Sequence, residues 1–182
     1  MPRYVALFRG INVGKAKRIA MADLRKLLEK LGYTGVKTLL NSGNAVFTAG
    51  AGTASGHAER IRAAVARRLG VDAIVVVKSA AEVAGVMSGN KLAEVASDPA
   101  RLLVAVTDDA TVLASLKTLA DKAWGTEKVQ LGKHAVYLWC ADGILESQAL
   151  TAVMKGLAGA GTTRNWATFG KIHDLLRETD GS

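Results

Sequence analysis

Two stretches of this chain repeat one order of hydrophobic patterning, and that order restricts the fold more than any motif. Arg3 to Phe8 (RYVALF) has strand composition, and Met21 to Leu31 places Met21, Leu24, Leu27, Leu28 and Leu31 at helical spacing. Val36–Leu40 and Ala45–Ala49 read as strands around the turn N-S-G-N, Asn41 to Asn44. His57–Leu69 reads as a helix, and Ala73–Val77 as a β-branched strand. The order is β-α-β-β-α-β. After one or two connecting helices over Lys78–Ala96, it recurs. Arg101–Thr107 is a strand, Ala110–Ala123 a helix with Asp108 or Asp109 at its start, and Glu127–Leu131 with Ala135–Cys140 a hairpin about Gly132-Lys133. Glu146–Leu157 is a helix, Thr162–Arg164 a short strand, and Asn165–Arg177 a final helix. The expectation is an α+β chain of two tandem ferredoxin-like halves, residues 1–78 and 79–182, with connecting helices and a C-terminal helix. No residue-level repeat accompanies the repeated order.

That topology has a consequence for the first loop. In a β-α-β-β-α-β unit, the loop leaving strand one and the hairpin joining strands two and three lie at the same end of the sheet. RGINVGKAKR, residues 9–18, and Asn41–Asn44 are therefore expected to be neighbours. Glycine permits close backbone approach, and helix N-terminal N–H groups attract anions. Arg9, Asn12, Lys15, Asn41, Ser42 and Asn44 offer side-chain donors, and Gly10, Gly14 and Gly43 give the backbone freedom. An oxyanion-binding rim is one reading. The other is that Asn and Gly serve only to pin the loops.

Charge bears on the partner. Residues 1–78 hold 14 Lys and Arg against 4 Asp and Glu, whereas residues 79–182 hold 10 against 12. A basic half is compatible with an anionic small molecule, with nucleic acid, with attraction to the oppositely charged second half, or with mere solubility. An RNA-recognition module shares the β-α-β-β-α-β order, with Phe8 and Phe47 as its base-stacking candidates, but strand one is apolar on both faces. No membrane partner is expected, because the longest apolar strings are far too short to span a bilayer. The first ten residues place an arginine where a signal peptide begins its apolar centre, so the expected location is the cytosol.

Other chemistry is thinly supported. Gly50-x-Gly52-x-x-x-Gly56 has one residue too many for a dinucleotide fingerprint and follows a hairpin strand, so no cofactor is expected. His57, His134 and His173 lack metal-ligand spacing, so no metal is expected. Cys140, the single cysteine, reads as a small buried residue. T-T-R-N-W, Thr162 to Trp166, stands out: Thr163 is placed to cap the last helix, and Arg164 has the chemistry to grip a carboxylate or phosphate.

Y-V-A-L-F-R-G-I-N-V-G-K, M-A-D-L-R-K-L-L-E, N-S-G-N-A-V-F and T-T-R-N-W-A-T-F together resemble a bacterial family known as domain of unknown function 1697, from Tyr4 to about Leu176. The resemblance implies two tandem ferredoxin-like subdomains and no assigned reaction. It carries over Arg9, Gly10, Asn12, Gly14, Ser42, Gly43, Asn44, Thr163, Arg164, Asn165 and Trp166 as motif positions. The chain departs from the pattern at Lys15, where relatives often have a second glycine, and at Glu146, where a basic residue usually precedes the serine. Three functions stand open on these grounds: binding of a phosphate-bearing or other anionic small ligand at residues 9–18 and 41–44, with Thr163, Arg164 and Asn165 as further candidates; a non-catalytic nucleic-acid-binding module; and an interaction or scaffold protein whose motifs are purely structural.

Overall fold

The structure is a computed structural model that describes residues 1–178. Strand β1 (Arg3–Arg9) is buried along its whole middle, from Tyr4 to Phe8. It pairs antiparallel with β3 (Asn44–Thr48) on one side, Tyr4 opposite Phe47, and with β4 (Ile74–Ser79) on the other, Arg9 opposite Ile74. Strand β2 (Thr34–Leu39) forms the edge beyond β3, giving the order β2-β3-β1-β4. The register breaks between Thr34 and Lys37, where Gly35 has a φ of 58°.

Two helices accompany this sheet. Helix α1 (Met21–Lys30) buries Leu24, Leu27 and Leu28, and ends at Leu31 followed by left-handed Gly32. Helix α2 (Ala54–Leu69) buries Ile61, Ala64 and Val65. Its N-terminus is capped by the Thr53 hydroxyl, which accepts from the Gly56 N–H at 3.1 Å, and its C-terminus by left-handed Gly70. Phe8, Leu24, Leu28, Phe47 and Ile61 belong to one core. Burying each such side chain contributes roughly 1.5–3 kcal/mol. Tyr4, Tyr33 and Phe47 surround His57, with ring centroids 4.9, 5.4 and 5.9 Å from the imidazole.

The chain then forms α3 (Ala80–Gly89) and a 3-10 turn (Lys91–Glu94) that the Asn90 side chain caps at Leu92. The second sheet follows, ordered β6-β7-β5-β8 from β5 (Leu102–Thr107), β6 (Lys128–Leu131), β7 (Val136–Trp139) and β8 (Gly161–Asn165). All its pairings are antiparallel. Helix α6 (Gln148–Leu157) buries Ala149, Val153 and Leu157 in a core shared with Leu103, Leu116, Val136, Leu138 and Cys140. Tyr137 donates to the Val86 carbonyl at 2.7 Å, and burial pushes its phenol up to about 12.

One expected helix is broken. Residues 110–123 form α4 (Ala110–Ser115) and α5 (Lys117–Ala120) instead of a single rod. The Ser115 hydroxyl donates to the Val112 carbonyl at 2.6 Å, and the Leu116 N–H donates to the Leu113 carbonyl at 3.1 Å. A serine bonding back to its own turn competes with the α-helical ladder and tightens it locally.

The chain forms two compact units, one of Met1–Ala80 with the described residues from Ile172 on, the other of Ala81–Lys171. The final helix, α7 (Trp166–Arg177), has its second half, from Ile172 on, in the first unit. There Arg3 donates to the carbonyl oxygens of Leu176 and Glu178, and Lys37 pairs with the Glu178 carboxylate at 2.7 Å. Among the described residues, no helix is long and apolar enough to cross a membrane.

Candidate functional site

The loop after β1 is wound by left-handed backbone at Gly10, Asn12, Gly14 and Lys17, with φ between 51° and 71°. Its two ends are anchored by Ile11 and Ile19, both buried. Between them the side chain of Asn12 makes the closure. Its Oδ1 accepts from the Ile19 N–H at 2.8 Å, and its Nδ2 donates to the Ile19 carbonyl at 2.8 Å and to the Asn41 carbonyl at 2.7 Å. The Asn12 N–H completes the loop on the Lys17 carbonyl at 3.0 Å. Asparagine suits this position because it tolerates left-handed φ better than most residues.

The hairpin meets the loop as the topology requires. Phe8 N–H donates to the Gly43 carbonyl at 2.9 Å, and Gly43 has a φ of 93°. A Cβ there would lie 2.6 Å from Ile11 Cδ1 and 2.8 Å from Phe8 Cβ, so only glycine fits. Asn44 is buried, and its Nδ2 donates to the Leu39 carbonyl at 2.8 Å and to Ser42 Oγ at 3.2 Å. The structure therefore brings residues 9–18 and 41–44 together, but it turns the carboxamides of Asn12 and Asn44 inward as fasteners.

What faces outward is different. A recess of about 300 Å³ is lined by Asn12, Arg18, Ile19, Ala20 and Asn41. Arg18 lies over the loop, donating to the Gly14 carbonyl at 3.1 Å and more weakly to Asn12 O at 3.4 Å. Lys15, Asn41 and Ser42 are exposed, Gly10 and Gly14 lie in the open loop, and Arg9 is half-buried at the end of β1. Helix α1 begins beside the recess at Ala20, and no side chain among the described residues caps it. Like α1, α5 starts without a side-chain cap, whereas α2, α4 and α6 each have one. Asp109 caps α4 by accepting from the N–H groups of Thr111 and Val112. Ser147 caps α6, and the Glu127 carboxylate accepts from Ser147 Oγ and from the N–H groups of Gln148 and Ala149. Glu127 is the group that sequence reasoning missed, because 20 residues separate it from Ser147 and nothing local links them.

Thr163, Arg164 and Asn165 belong to the second unit, on β8, opposite Ala105, Val104 and Leu103 of β5. Arg164 is buried, and its Nη1 donates to Thr162 Oγ1 at 2.9 Å and to the Thr163 carbonyl at 2.8 Å. Burial lowers its guanidinium to about 10, the direction that removal from water imposes on a cation. The expected cap at Thr163 is corrected: Asn165 Oδ1 accepts from the Thr168 N–H at 2.8 Å, because the strand continues two residues past Thr163 and α7 starts only at Trp166.

The remaining candidates resolve locally. Phe8 and Phe47 lie in the core with α1 and α2, so neither is presented for base stacking. The Gly50–Gly56 segment serves α2, with Thr53 as its cap and Gly52 against the His57 ring, where a Cβ would lie 2.9 Å from Nε2. Cys140 is buried, and burial raises its thiol further than the nearby Ser147 hydroxyl lowers it. Among the described residues, no three His, Cys, Asp or Glu side chains gather as metal ligands.

Comparison with known proteins agrees with this architecture. The chain is similar to the conserved bacterial protein SP0830 from Streptococcus pneumoniae, with a TM-score of 0.79, 25% sequence identity, and coverage of 97% of this chain and 99% of that one. No curated protein matches the sequence. The profile of a family described as "Protein of unknown function (DUF1697)" matches residues 1–137, which is most of the chain, and this protein belongs to that family.

Proposed function

We propose that the protein binds a phosphate-bearing or other anionic small ligand at the rim formed by residues 9–18 and 41–44. One observation carries the reading: helix α1 starts without a side-chain cap beside a recess lined by Arg18 and Asn41. Helix N-terminal N–H groups attract anions, and an Arg beside them adds charge-assisted hydrogen bonds. In this reading Asn12, Gly43 and Asn44 hold the rim in shape, while Lys15, Arg18, Asn41, Ser42 and the first N–H groups of α1 meet the ligand. Arg9 and the glycines Gly10 and Gly14 set the path of the loop. A helix terminus contributes about 0.3–1 kcal/mol, and a hydrogen bond to a charge about 1.5–3 kcal/mol. Together these amount to roughly 2–4 kcal/mol, an affinity between about 1 and 50 mM for an isolated anion, with the rest of a real ligand adding more.

The same reading takes both sheets as ferredoxin-like halves, over residues 1–78 and 79–182, with the second half of α7 returning to the first. The orders β2-β3-β1-β4 and β6-β7-β5-β8, each with an edge strand reached through a helix, support it. Arg164 is assigned a structural role, since its guanidinium is buried among its own strand's oxygens.

The test is thermal melting against inorganic phosphate, sulfate, nucleotides and sugar phosphates. The wild type should melt higher with at least one of them at about millimolar concentration. Arg18→Ala should abolish that response while lowering the ligand-free melting temperature only slightly, because Arg18 is exposed and the loop is closed by Asn12. No response from the wild type to any anion would overturn the proposal.

A further inference from the structure

Helices α1 and α2 leave a second concavity between them, a groove of about 350 Å³. Its charged lining comprises Lys26 and Lys30 from α1, Arg67 and Arg68 from the last turn of α2, and one acid, Asp23. All five are exposed. None of the four cations forms an ion pair among the described residues, whereas neighbouring charges that face away do: Arg25 with Glu29 at 4.0 Å and Arg62 with Asp72 at 2.8 Å. Lys26 and Lys30 are one turn apart on the same face, a like-charge placement that costs α1 a few tenths of a kcal/mol. The floor is apolar, from Leu27, Leu31, Ala64 and Leu69, and Leu31 and Leu69 remain only half-buried.

We infer that this groove is a docking site for an acidic amphipathic peptide segment of a partner protein, bound as a helix laid between α1 and α2. Two features select that occupant. The cations are distributed along more than one turn of α1 and the end of α2, which suits carboxylates spaced along a helix better than one compact anion. The half-buried leucines offer contact to an apolar anchor, and the groove's volume suits a bulky side chain. A nucleic-acid strand meets only half of this: its phosphates match the cations, but the lining holds no aromatic ring for a base. The site is distinct from the rim at residues 9–18, since none of the five residues lining that recess lines this groove.

The experiment uses fluorescence anisotropy at low salt with the full chain. The probe is a labelled helix-forming peptide of about four turns, bearing Glu at its flanks and Leu at i and i+4 on one face. Two further probes are the same peptide with Ala for Leu and a labelled single-stranded DNA oligonucleotide. The Glu/Leu peptide should bind at about micromolar affinity, and the Ala version at least about tenfold more weakly. Lys26→Glu with Arg67→Glu should weaken binding by about a hundredfold, and Asp23→Asn should tighten it about two- to threefold by removing the one carboxylate in the lining. That opposite response separates docking from loss of fold. Arg18→Ala should leave it unchanged, so failure of the rim and failure of the groove are told apart. No binding of the Glu/Leu peptide at about 100 μM, or equal binding of the Ala peptide and the oligonucleotide, would overturn the inference.

Discussion

The carboxamide nitrogen of Asn12 donates to the main-chain carbonyl of Asn41 at 2.7 Å, joining two loops that are 29 residues apart in the chain. The same carboxamide closes its own loop on Ile19 in both directions. One side chain therefore sets the shape of the rim and has no donor left for a ligand.

Replacing Asn12 should accordingly weaken the fold more than a surface polar residue would. Asn12→Ala removes three hydrogen bonds and puts Ala at a φ of 55°, so the expected loss is about 2–4 kcal/mol. Asn12→Gly removes the same bonds but accepts the backbone angle, and should cost about 1 kcal/mol less. Urea unfolding of the two variants measures the difference. Equal stability for Asn12→Ala and the wild type would refute the fastening role.

Gly43 and Gly14 make a matched pair. Both have positive φ, at 93° and 63°, but a Cβ at Gly43 strikes Ile11 and Phe8, while one at Gly14 meets nothing within 4 Å. Gly14→Ala should cost about 1 kcal/mol, from backbone conformation alone. Gly43→Ala should cost about 2–4 kcal/mol and displace the hairpin from the loop. A Gly43→Ala protein as stable as Gly14→Ala would mean that the hairpin and loop are not in contact in solution.

His57 makes stability depend on pH. Burial, reinforced by the nearby Arg60 charge, holds its imidazole below the ordinary value of 6.5. Its Nδ1 shares a hydrogen bond of 2.9 Å with Tyr33, and its Nε2 is buried without a hydrogen-bond partner among the described residues. The unfolded chain therefore takes up this proton first. Stability should fall as pH drops below about 6.5 and level off once the folded imidazole also titrates. Replacement of His57 by Phe should flatten that slope in melting curves between about pH 7 and pH 5. A slope unchanged in the variant would assign the effect elsewhere.

Arg164 and Arg18 should separate structure from binding. Arg164→Ala empties a buried site and strands the Thr162 hydroxyl, so melting should drop, with a loss of about 1–3 kcal/mol. Any anion response should survive. If Arg164→Ala abolished that response while melting stayed unchanged, the structural role given to it would be wrong.

Much of the architecture was legible because it depends on local chemistry. Leucines at helical spacing in 21–31 and N-S-G-N between two apolar runs each specify their own segment. The meeting of loop and hairpin followed from strand order alone. Orientation was not legible. Whether Asn12 points its amide at solvent or at Asn41 depends on four left-handed residues acting together, and no periodicity reports that. The cap at Asn165, the break at Leu116 and the carboxylate of Glu127 on α6 escaped for a similar reason. Each depends on which of several competent groups reaches a backbone N–H or carbonyl first in three dimensions.

The central claim is that an anion meets the uncapped start of α1. Amide proton–nitrogen correlation spectra recorded through a titration with inorganic phosphate test it directly. Saturable shifts should centre on the N–H groups of Met21 and Ala22 and on Arg18, and should be lost in Arg18→Ala. Shifts spread evenly over all the surface lysines and arginines, with none concentrated between residues 10 and 22, would contradict it.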